Sequence, residues 1–131
     1  MGQAQRTLRL RLCNEPRSTF RLRRAVDRIA AECRFPEDAR FELKVAATEA
    51  LTNAIKGAPP EHAVEVAIAG DESAVEVEVT DRGSFVPSYR SDPGLEAESG
   101  RGIPLMLALV DEIEFASVNG GTRVRLRRAA R

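Results

Sequence analysis

Residues 36–57 read PEDARFELKVAATEALTNAIKG, and this stretch predicts a helix. Pro36 precedes two acidic residues, and proline and acids both suit the first turn of a helix. Gly57, with prolines at 59 and 60, ends the helix near Lys56. The apolar residues recur at helical spacing and form one stripe that we expect to be buried: Leu43, Ala47, Ala50, Leu51 and Ala54.

Two polar residues of this helix are candidates for chemistry. Glu49 and Asn53 are four positions apart, so they stack on one face of the helix. That face lies roughly 140° from the apolar stripe, and periodicity alone therefore favours an ordinary solvated surface. The functional alternative pairs a carboxylate base, Glu49, with an amide oxygen, Asn53, for Mg²⁺, which takes few oxygens from the protein and the rest from water and phosphates.

The apolar periodicity of the sequence before and after this helix predicts the other elements. Residues 7–13 form a half-buried strand, and a helix follows from Glu15-Pro16 to about Cys33. Its expected apolar stripe consists of Phe20, Leu22, Val26, Ile29 and Ala30. Beyond residue 57 we expect a hairpin (63–69 and 74–80), a loop (82–101), a short helix (102–110) and a second hairpin (112–117 and 122–127). This order predicts an α/β (α+β) two-layer sandwich in which helices cover one face of a mostly antiparallel sheet.

Two short motifs lie at the ends of the long loop. Asp81 at the end of a strand can accept a hydrogen bond from an exocyclic amine, and Gly83 lets a ring approach the backbone, although D-x-G is also a common turn. Gly100-Arg101-Gly102 leads into the short helix, whose exposed N–H groups and dipole favour a phosphate. The plain alternative for this second motif is a flexible hinge.

Composition narrows the class of protein. The chain has 131 residues, 43% hydrophobic and 31% charged, which is typical of a globular domain. No apolar run approaches the roughly 20 residues of a membrane span, and the first residues contain no signal-peptide core. With two cysteines and one histidine, a thiolate or imidazole metal site is not expected. We therefore expect one cytoplasmic domain over residues 1–131, without a membrane partner.

Charge is distributed unevenly along the chain. Residues 1–34 contain nine Arg against three acids, residues 121–131 contain five Arg and no acid, and residues 35–120 are acidic. The basic ends could contact nucleic acid, but one Tyr and no Trp offer little surface for stacking bases. Solvent-facing strands or an acidic protein partner are the other interpretations, and we expect no direct nucleic-acid partner.

The order and spacing of the motifs resemble the GHKL (histidine kinase-like) ATPase superfamily. The chain has an E-x-x-x-N helix, a hairpin that ends in D-x-G, a loop, G-x-G before a helix, and a final hairpin with Gly121-Thr122. The resemblance covers about residues 5–128. Within the superfamily, residues 98–103 and 109–115 look most like the anti-sigma factor serine kinases.

The resemblance implies roles for residues of the helix and the strands. Asn53 is the expected ligand of the Mg²⁺ that bridges the ATP phosphates, and Glu49 is the expected general base on a substrate hydroxyl. Asp81 is expected to bind the adenine amine, with Gly83 beside the ring. Thr122 is expected to support the adenine through water.

The resemblance also implies roles for the loop before the short helix. Gly100 and Gly102 are expected to contact phosphates, and Arg101 adds positive charge near them. Residues from about 84 to 101 form the expected ATP lid. Closure of such a lid excludes water and favours phosphoryl transfer over hydrolysis.

The function implied by the resemblance is that of an anti-sigma factor and ATP-dependent serine kinase. Such a protein sequesters a sigma factor and phosphorylates a STAS-type anti-anti-sigma antagonist. The resemblance also implies a homodimer, for which the basic strand Arg6–Cys13 is a candidate edge.

Two departures from the family pattern favour an alternative function. Gly57 stands where the family usually has His, and the segment after Asp81 lacks a second Gly and has Val86 in place of an acid. The alternative is a GHKL-fold binding module that regulates a partner by sequestration without kinase activity. A third interpretation is a detached histidine-kinase ATP domain, against which the lack of a histidine-bearing helix and the short lid both argue.

Overall fold

The computed structural model describes residues 5–59, 61–81, 102–118 and 120–131, and the statements below concern those residues. Their elements follow the predicted order, with ends that differ from the predicted ones by at most three residues. In chain order they are β1 (Arg6–Leu12), α1 (Ser18–Glu32), α2 (Glu37–Gly57), β2 (Val64–Gly70), β3 (Ala74–Asp81), α3 (Gly102–Leu109), β4 (Glu112–Val118) and β5 (Gly121–Ala129).

The described strands form one sheet in the order β1-β2-β3-β5-β4. Every pairing is antiparallel, so the last strand of the chain lies between β3 and β4. Strands β1 and β4 are the edges of this sheet. The short β4–β5 connection includes Gly120, whose φ of 81° is a left-handed conformation that glycine adopts without strain.

The described helices cover one face of the sheet. Helices α1 and α2 pack on each other and on the strands, and α3 packs on α2 and β4. All five residues of the predicted α2 stripe are buried, together with Ala39 and Ala46. Since the stripe is mostly alanine, the helix can lie close to the valine-rich inner face of β2 and β3. The predicted two-layer fold class is confirmed.

The prediction that Phe20 belongs to the buried stripe of α1 is wrong. Its side chain is 63% exposed, and the Arg23 guanidinium lies over the ring, 5.3 Å from the ring centroid. Phe20 precedes the fully buried Leu22 by two positions, which is about 200° around a helix. The ring therefore points away from the core. The other four predicted members of the stripe are buried.

Helix α1 ends in a pattern of backbone hydrogen bonds known as a Schellman motif. The N–H of Phe35 donates to the carbonyl of Ala30 at 2.9 Å, and the N–H of Arg34 donates to that of Ala31 at 3.0 Å. Arg34 consequently has a φ of 59°, in the left-handed region. Phe35 and Ala30 are both buried, at the two positions of the motif that are commonly apolar.

The sheet face opposite the helices carries rows of opposite charge on neighbouring strands. Glu114 of β4 pairs with Arg125 of β5 at 2.8 Å, and Glu76 of β3 approaches Arg127 of β5 to 3.8 Å. Near the other edge of the same face, Arg11 of β1 reaches Glu65 of β2 at 3.5 Å. The basic strand β5 therefore lies between two strands with acidic outward residues.

The β2–β3 turn is held by the carboxylate of Asp71. Its Oδ1 accepts hydrogen bonds from the Ser73 hydroxyl at 2.7 Å, the Ser73 N–H at 2.8 Å and the Ala74 N–H at 3.2 Å. Just before the turn, the backbone of Gly70 comes very close to its partner strand, so that an added Cβ would lie 2.6 Å from the Val75 side chain. In the part of the chain described here, no helix is long and apolar enough to span a bilayer.

Candidate functional site

Two ion pairs fix how α2 is rotated about its axis. Lys44 Nζ bonds the Asp27 carboxylate of α1 at 3.0 Å, so this flank of α2 faces α1. Glu42 Oε1 accepts a hydrogen bond from Arg128 Nη2 of β5 at 2.6 Å, so the flank with Glu42 faces the β5 side. Lys44 and Glu42 are two positions apart, about 200° around the helix, which places them on opposite flanks.

Glu49 and Asn53 lie on the same flank as Glu42. Seven residues separate Glu42 from Glu49 and four separate Glu49 from Asn53, so the three side chains leave the helix within about 40° of one another. Both candidate side chains are half-buried, in contrast to the fully solvated face that periodicity favoured. The reason is that this flank adjoins β5 and α3 rather than open solvent.

Asp81 and Thr122 are opposite each other in the sheet. They are Cα partners at the end of β3 and the beginning of β5. Asp81 continues the inward row of Val75, Val77 and Val79, so its side chain points to the helical layer. Both polar side chains are buried, with 4% exposure for Asp81 and 6% for Thr122. A carboxylate and a hydroxyl thus lie side by side at the end of an apolar sheet face.

The topology brings this pair to the same end of the domain as Asn53. Glu42 contacts Arg128, whose strand partner is Val75 at the beginning of β3. From Val75, which lies beside this contact, β3 extends about 20 Å to Asp81. Helix α2 extends about 16 Å from Glu42 to Asn53. It runs in the same direction as β3, because Asn14, just past the end of β1, bonds the carbonyls just after α2, and β1 and β3 terminate at the same end of the sheet. Asn53 and Asp81, 28 positions apart in the sequence, therefore lie at the same end of the two layers.

Helix α3 adds its N-terminus to this end. The N–H of Asp111, just after α3, donates to the carbonyl of Arg127 at 2.8 Å, which places the C-terminus of α3 near the Glu42–Arg128 contact. Since α3 packs against α2, its first residue, Gly102, lies toward the Asn53 end. Gly83, Gly100, Arg101 and the predicted lid lie outside the described residues.

The donor atoms at this end suit Mg²⁺ rather than a softer ion. Asn53 and Glu49 supply an amide oxygen and carboxylate oxygens, the hard donors that Mg²⁺ prefers. Over the described ranges, no group of three or more His, Cys, Asp or Glu side chains could hold a metal ion. A Mg²⁺ ion here would therefore take most of its ligands from water and phosphate oxygens, which is its usual habit.

Sequence reasoning missed one polar contact at this end. The side-chain amide of Asn14, in the connection before α1, donates hydrogen bonds to the carbonyls of Ala58 at 3.1 Å and Pro59 at 2.9 Å. These carbonyls come just after the last residue of α2. The contact joins residues 44 and 45 positions apart, so no local pattern could have indicated it.

Comparison with known proteins supports the resemblance seen in the motifs. The family described as "Histidine kinase-like ATPase domain" matches residues 12–128. No curated protein sequence matches. A structure of the RsbU and RsbW domains of Rv1364c from Mycobacterium tuberculosis superposes with a TM-score of 0.70 at 20% identity, covering 95% of this chain and 32% of that one. This chain thus spans about a third of that relative's length.

Two further structures share the fold at low identity. The SiaB–SiaC complex from Pseudomonas aeruginosa matches with a TM-score of 0.60 at 16% identity, covering 93% of this chain and 89% of that one. The histidine kinase domain of a blue-light activated kinase from Erythrobacter litoralis EL346 matches with a TM-score of 0.57 at 19% identity, covering 86% and 59%. Membership of this ATPase family implies a nucleotide-binding domain. The match over residues 12–128 shows that the chain belongs to the histidine kinase-like ATPase domain family.

Proposed function

We propose that this chain binds Mg·ATP and transfers the γ-phosphoryl group to a serine of an antagonist protein. The observation that carries the proposal is the convergence of Glu49–Asn53, Asp81–Thr122 and the α3 N-terminus at one end of a histidine kinase-like ATPase fold. Residues of three separate motifs meet there, and each has the chemistry that one part of ATP requires.

The nucleotide is held from two sides. The Asp81 carboxylate accepts a hydrogen bond from the adenine amine, Thr122 supports the ring through water, and Gly83 lies beside it. Gly100, Arg101 and the N–H groups at the α3 N-terminus, which begins at Gly102, bind the phosphates. Asn53 holds Mg²⁺ through its amide oxygen. When bound, Mg²⁺ neutralises phosphate charge and orients the γ-phosphoryl group.

Glu49 acts as the general base for transfer. Its carboxylate accepts the proton of the serine hydroxyl as the new oxygen–phosphorus bond forms and the bond between the γ-phosphorus and the β–γ bridging oxygen breaks, leaving ADP. The half-buried position limits access of bulk water, and closure of the segment from about 84 to 101 completes its exclusion. Positioning and charge compensation account for most of the catalysis in phosphoryl transfer.

The partners follow from the same proposal. The free protein sequesters a sigma factor and releases it when it binds a STAS-type antagonist, because the affinities for the two partners differ between nucleotide states. The solved neighbours include RsbW domains and a SiaB–SiaC complex, which supports partner binding by this fold. A homodimer can form through β1, an edge strand of the described sheet.

The second candidate function is sequestration without kinase activity. Gly57 at the end of α2 and the altered sequence after Asp81 favour it, because both depart from the family pattern in motifs that the resemblance assigns to nucleotide binding. Phosphoryl transfer to serine distinguishes the two candidates directly, since a sequestering module binds its partner without modifying it.

The test is calorimetric titration with Mg·ADP and Mg·ATP of wild type, Asn53→Ala and Glu49→Gln. Thr48→Val is the matched control, because Thr48 lies on the same helix and its hydroxyl donates to the Lys44 carbonyl, at 2.8 Å. We expect micromolar binding by wild type and Thr48→Val, and loss of the Mg²⁺-dependent part in Asn53→Ala.

Glu49→Gln separates binding from catalysis. It should retain nucleotide affinity and lose transfer to a serine substrate by about 100-fold or more, because a positioned base contributes that much. Wild type that fails to bind at millimolar nucleotide contradicts the proposal as a whole. Binding without transfer to any antagonist favours the sequestering module.

A further inference from the structure

The end of α2 that carries Asn53 is followed directly by extended backbone. The helix ends at Gly57, and the next residue, Ala58, is extended. Glycine is flexible, and backbone carbonyls at a helix C-terminus need hydrogen-bond donors from elsewhere. The side chain of Asn14 supplies donors to the two carbonyls that follow, those of Ala58 and Pro59.

Asn14 is itself held on a rigid turn. The hydroxyl of Ser18, only 5% exposed as a residue, donates to the carbonyl of Cys13 at 2.7 Å. The N–H of Glu15 donates to the same carbonyl at 2.8 Å. These bonds connect the residues on both sides of Asn14 to the beginning of α1. They therefore restrict the movement of the Asn14 amide, which in turn holds the carbonyls of Ala58 and Pro59.

A short series of contacts leads from Asn14 to Asn53. Asn14 bonds the Ala58 carbonyl, and the Ala58 N–H donates to the carbonyl of Ala54 at 3.0 Å. Ala54 is buried in the core and directly follows Asn53. The opposite end of α2 is fixed by the Glu42–Arg128 pair. Asn14 therefore restrains the one end of the helix where the candidate Mg²⁺ ligand lies.

We propose that Asn14 is a positioning residue that fixes the Asn53 end of α2 and thereby sets the Mg²⁺ dependence of nucleotide binding. This inference rests on the proposed function of Asn53. Mg²⁺ requires near-ideal octahedral geometry, so a ligand displaced by a fraction of an ångström binds it poorly. The two hydrogen bonds from Asn14 to the Ala58 and Pro59 carbonyls are called the clamp below. In the proposed function, adenine is bound by Asp81 and Thr122 of the sheet, so its recognition does not depend on this clamp.

The test compares Asn14→Ala and Asn14→Asp with wild type. Aspartate has the shape of asparagine but its carboxylate cannot donate to the two carbonyls. Thr19→Ala is the matched control, because it removes a side-chain bond to a carbonyl in the same connection, that of Pro16 at 2.9 Å. Thermal melts first identify the variants that fold, and either Asn14 variant suffices.

Two measurements are made on the folded variants. Calorimetry with ADP, in Mg²⁺ and in EDTA, should show Kd rising about tenfold in Mg²⁺ and changing little in EDTA, with Thr19→Ala like wild type. Amide hydrogen exchange should speed up at residues 53–58 in the Asn14 variants and not at residues 42–48. The exchange measurement needs no nucleotide, so it reports on the clamp directly.

The outcomes separate this inference from the proposed function. If wild type binds Mg·ADP but the Asn14 variants change affinity equally with and without Mg²⁺, or not at all, the inference is overturned. Unchanged exchange at residues 53–58 overturns it as well. If wild type does not bind Mg·ADP, the proposed function fails and the Mg²⁺ role of Asn14 fails with it, even where exchange shows that the clamp exists.

Discussion

Arg34 has a backbone conformation that residues with a Cβ rarely adopt. Its φ of 59° results from the Schellman motif that ends α1. The position is commonly glycine, because the left-handed region brings Cβ close to the carbonyl oxygen. The motif persists because its two hydrogen bonds and the burial of Phe35 outweigh this local strain.

Replacing Arg34 with glycine should therefore stabilise the domain. We expect the free energy of unfolding to rise by about 1 kcal/mol, since the strain is removed and the bonding backbone atoms remain. Urea denaturation followed by circular dichroism measures the change. Arg34→Ala is the control, because alanine retains Cβ, and a gain in that variant as large as in Arg34→Gly would contradict the explanation.

Gly70 should show the opposite response. An added Cβ would lie 2.6 Å from Val75 Cγ2 and 2.7 Å from the Ala74 carbonyl oxygen, and the carbonyl belongs to backbone that cannot move freely. Gly70→Ala should lower the free energy of unfolding by about 1–3 kcal/mol, the usual cost of overpacking. Ala69→Ser, on the outer face of the same strand, is the control in the same urea titration and should change it far less.

At the scale of elements, α2 is the structural support of the candidate site. One flank is bonded to α1, the other to β5, and the buried stripe between them packs on the sheet. Its C-terminal end carries Asn53 and is held by Asn14. The position of the Asn53 amide group is therefore fixed by the contacts that α2 makes with α1, the sheet and Asn14.

The β2–β3 hairpin provides a prediction about pH. Hydrogen bonds from the Ser73 hydroxyl, the Ser73 N–H and the Ala74 N–H lower the pKa of Asp71 below its ordinary 3.8. The unfolded chain binds the proton more readily, so stability from Asp71 is present above pH 3.8 and is lost as the pH falls through the lowered native pKa. Urea titrations at several acidic pH values measure this.

Asp71→Asn is the control for that prediction. Asparagine retains an acceptor oxygen but does not titrate, so the stability difference between wild type and variant should shrink as the pH falls below about 4. A difference that is independent of pH through this range would show that the charged form of Asp71 has no preferential role in the turn.

Much of the element order could be predicted because the periods of two and 3.6 residues are local. The valines of β2 and β3 and the alanines of α2 reveal which face is buried without knowledge of the fold. Phe20 shows the limit, because its apolar character suggested the core while its angle around α1 excluded it. The contacts of Asn14 and of Arg128 with Glu42 depend on tertiary folding, and nothing near them in sequence indicates them.

At the scale of the whole molecule, the two cysteines differ in how far the fold protects them from thiol reagents. Cys13 is exposed, whereas Cys33 is buried, and burial raises the pKa of the Cys33 thiol. Since the thiolate is the reactive form, Cys33 is doubly protected in the native state. Its reaction with a thiol reagent requires opening of the α1 end of the core.

We therefore expect one fast and one slow thiol at neutral pH. Mass spectrometry after iodoacetamide treatment should find Cys13 labelled within the time in which Cys33 remains unmodified, and both labelled in denaturant. If Cys33 reacts only after global unfolding, Gly70→Ala should accelerate its labelling by the same factor by which the substitution raises the unfolding equilibrium constant. Equal labelling of both native thiols would contradict the burial of Cys33.

The alternating charge rows on the open sheet face have a consequence for long-range attraction. Neighbouring strands are about 4.8 Å apart, less than the Debye length of about 8 Å in physiological salt. At distances greater than one Debye length, the positive field of the Arg row of β5 and the negative field of the Glu residues of β3 and β4 nearly cancel. A nucleic-acid backbone laid across this face would meet alternating attraction and repulsion rather than a continuous positive track. The uneven charge along the chain is thus largely cancelled in space on this face by the strand order.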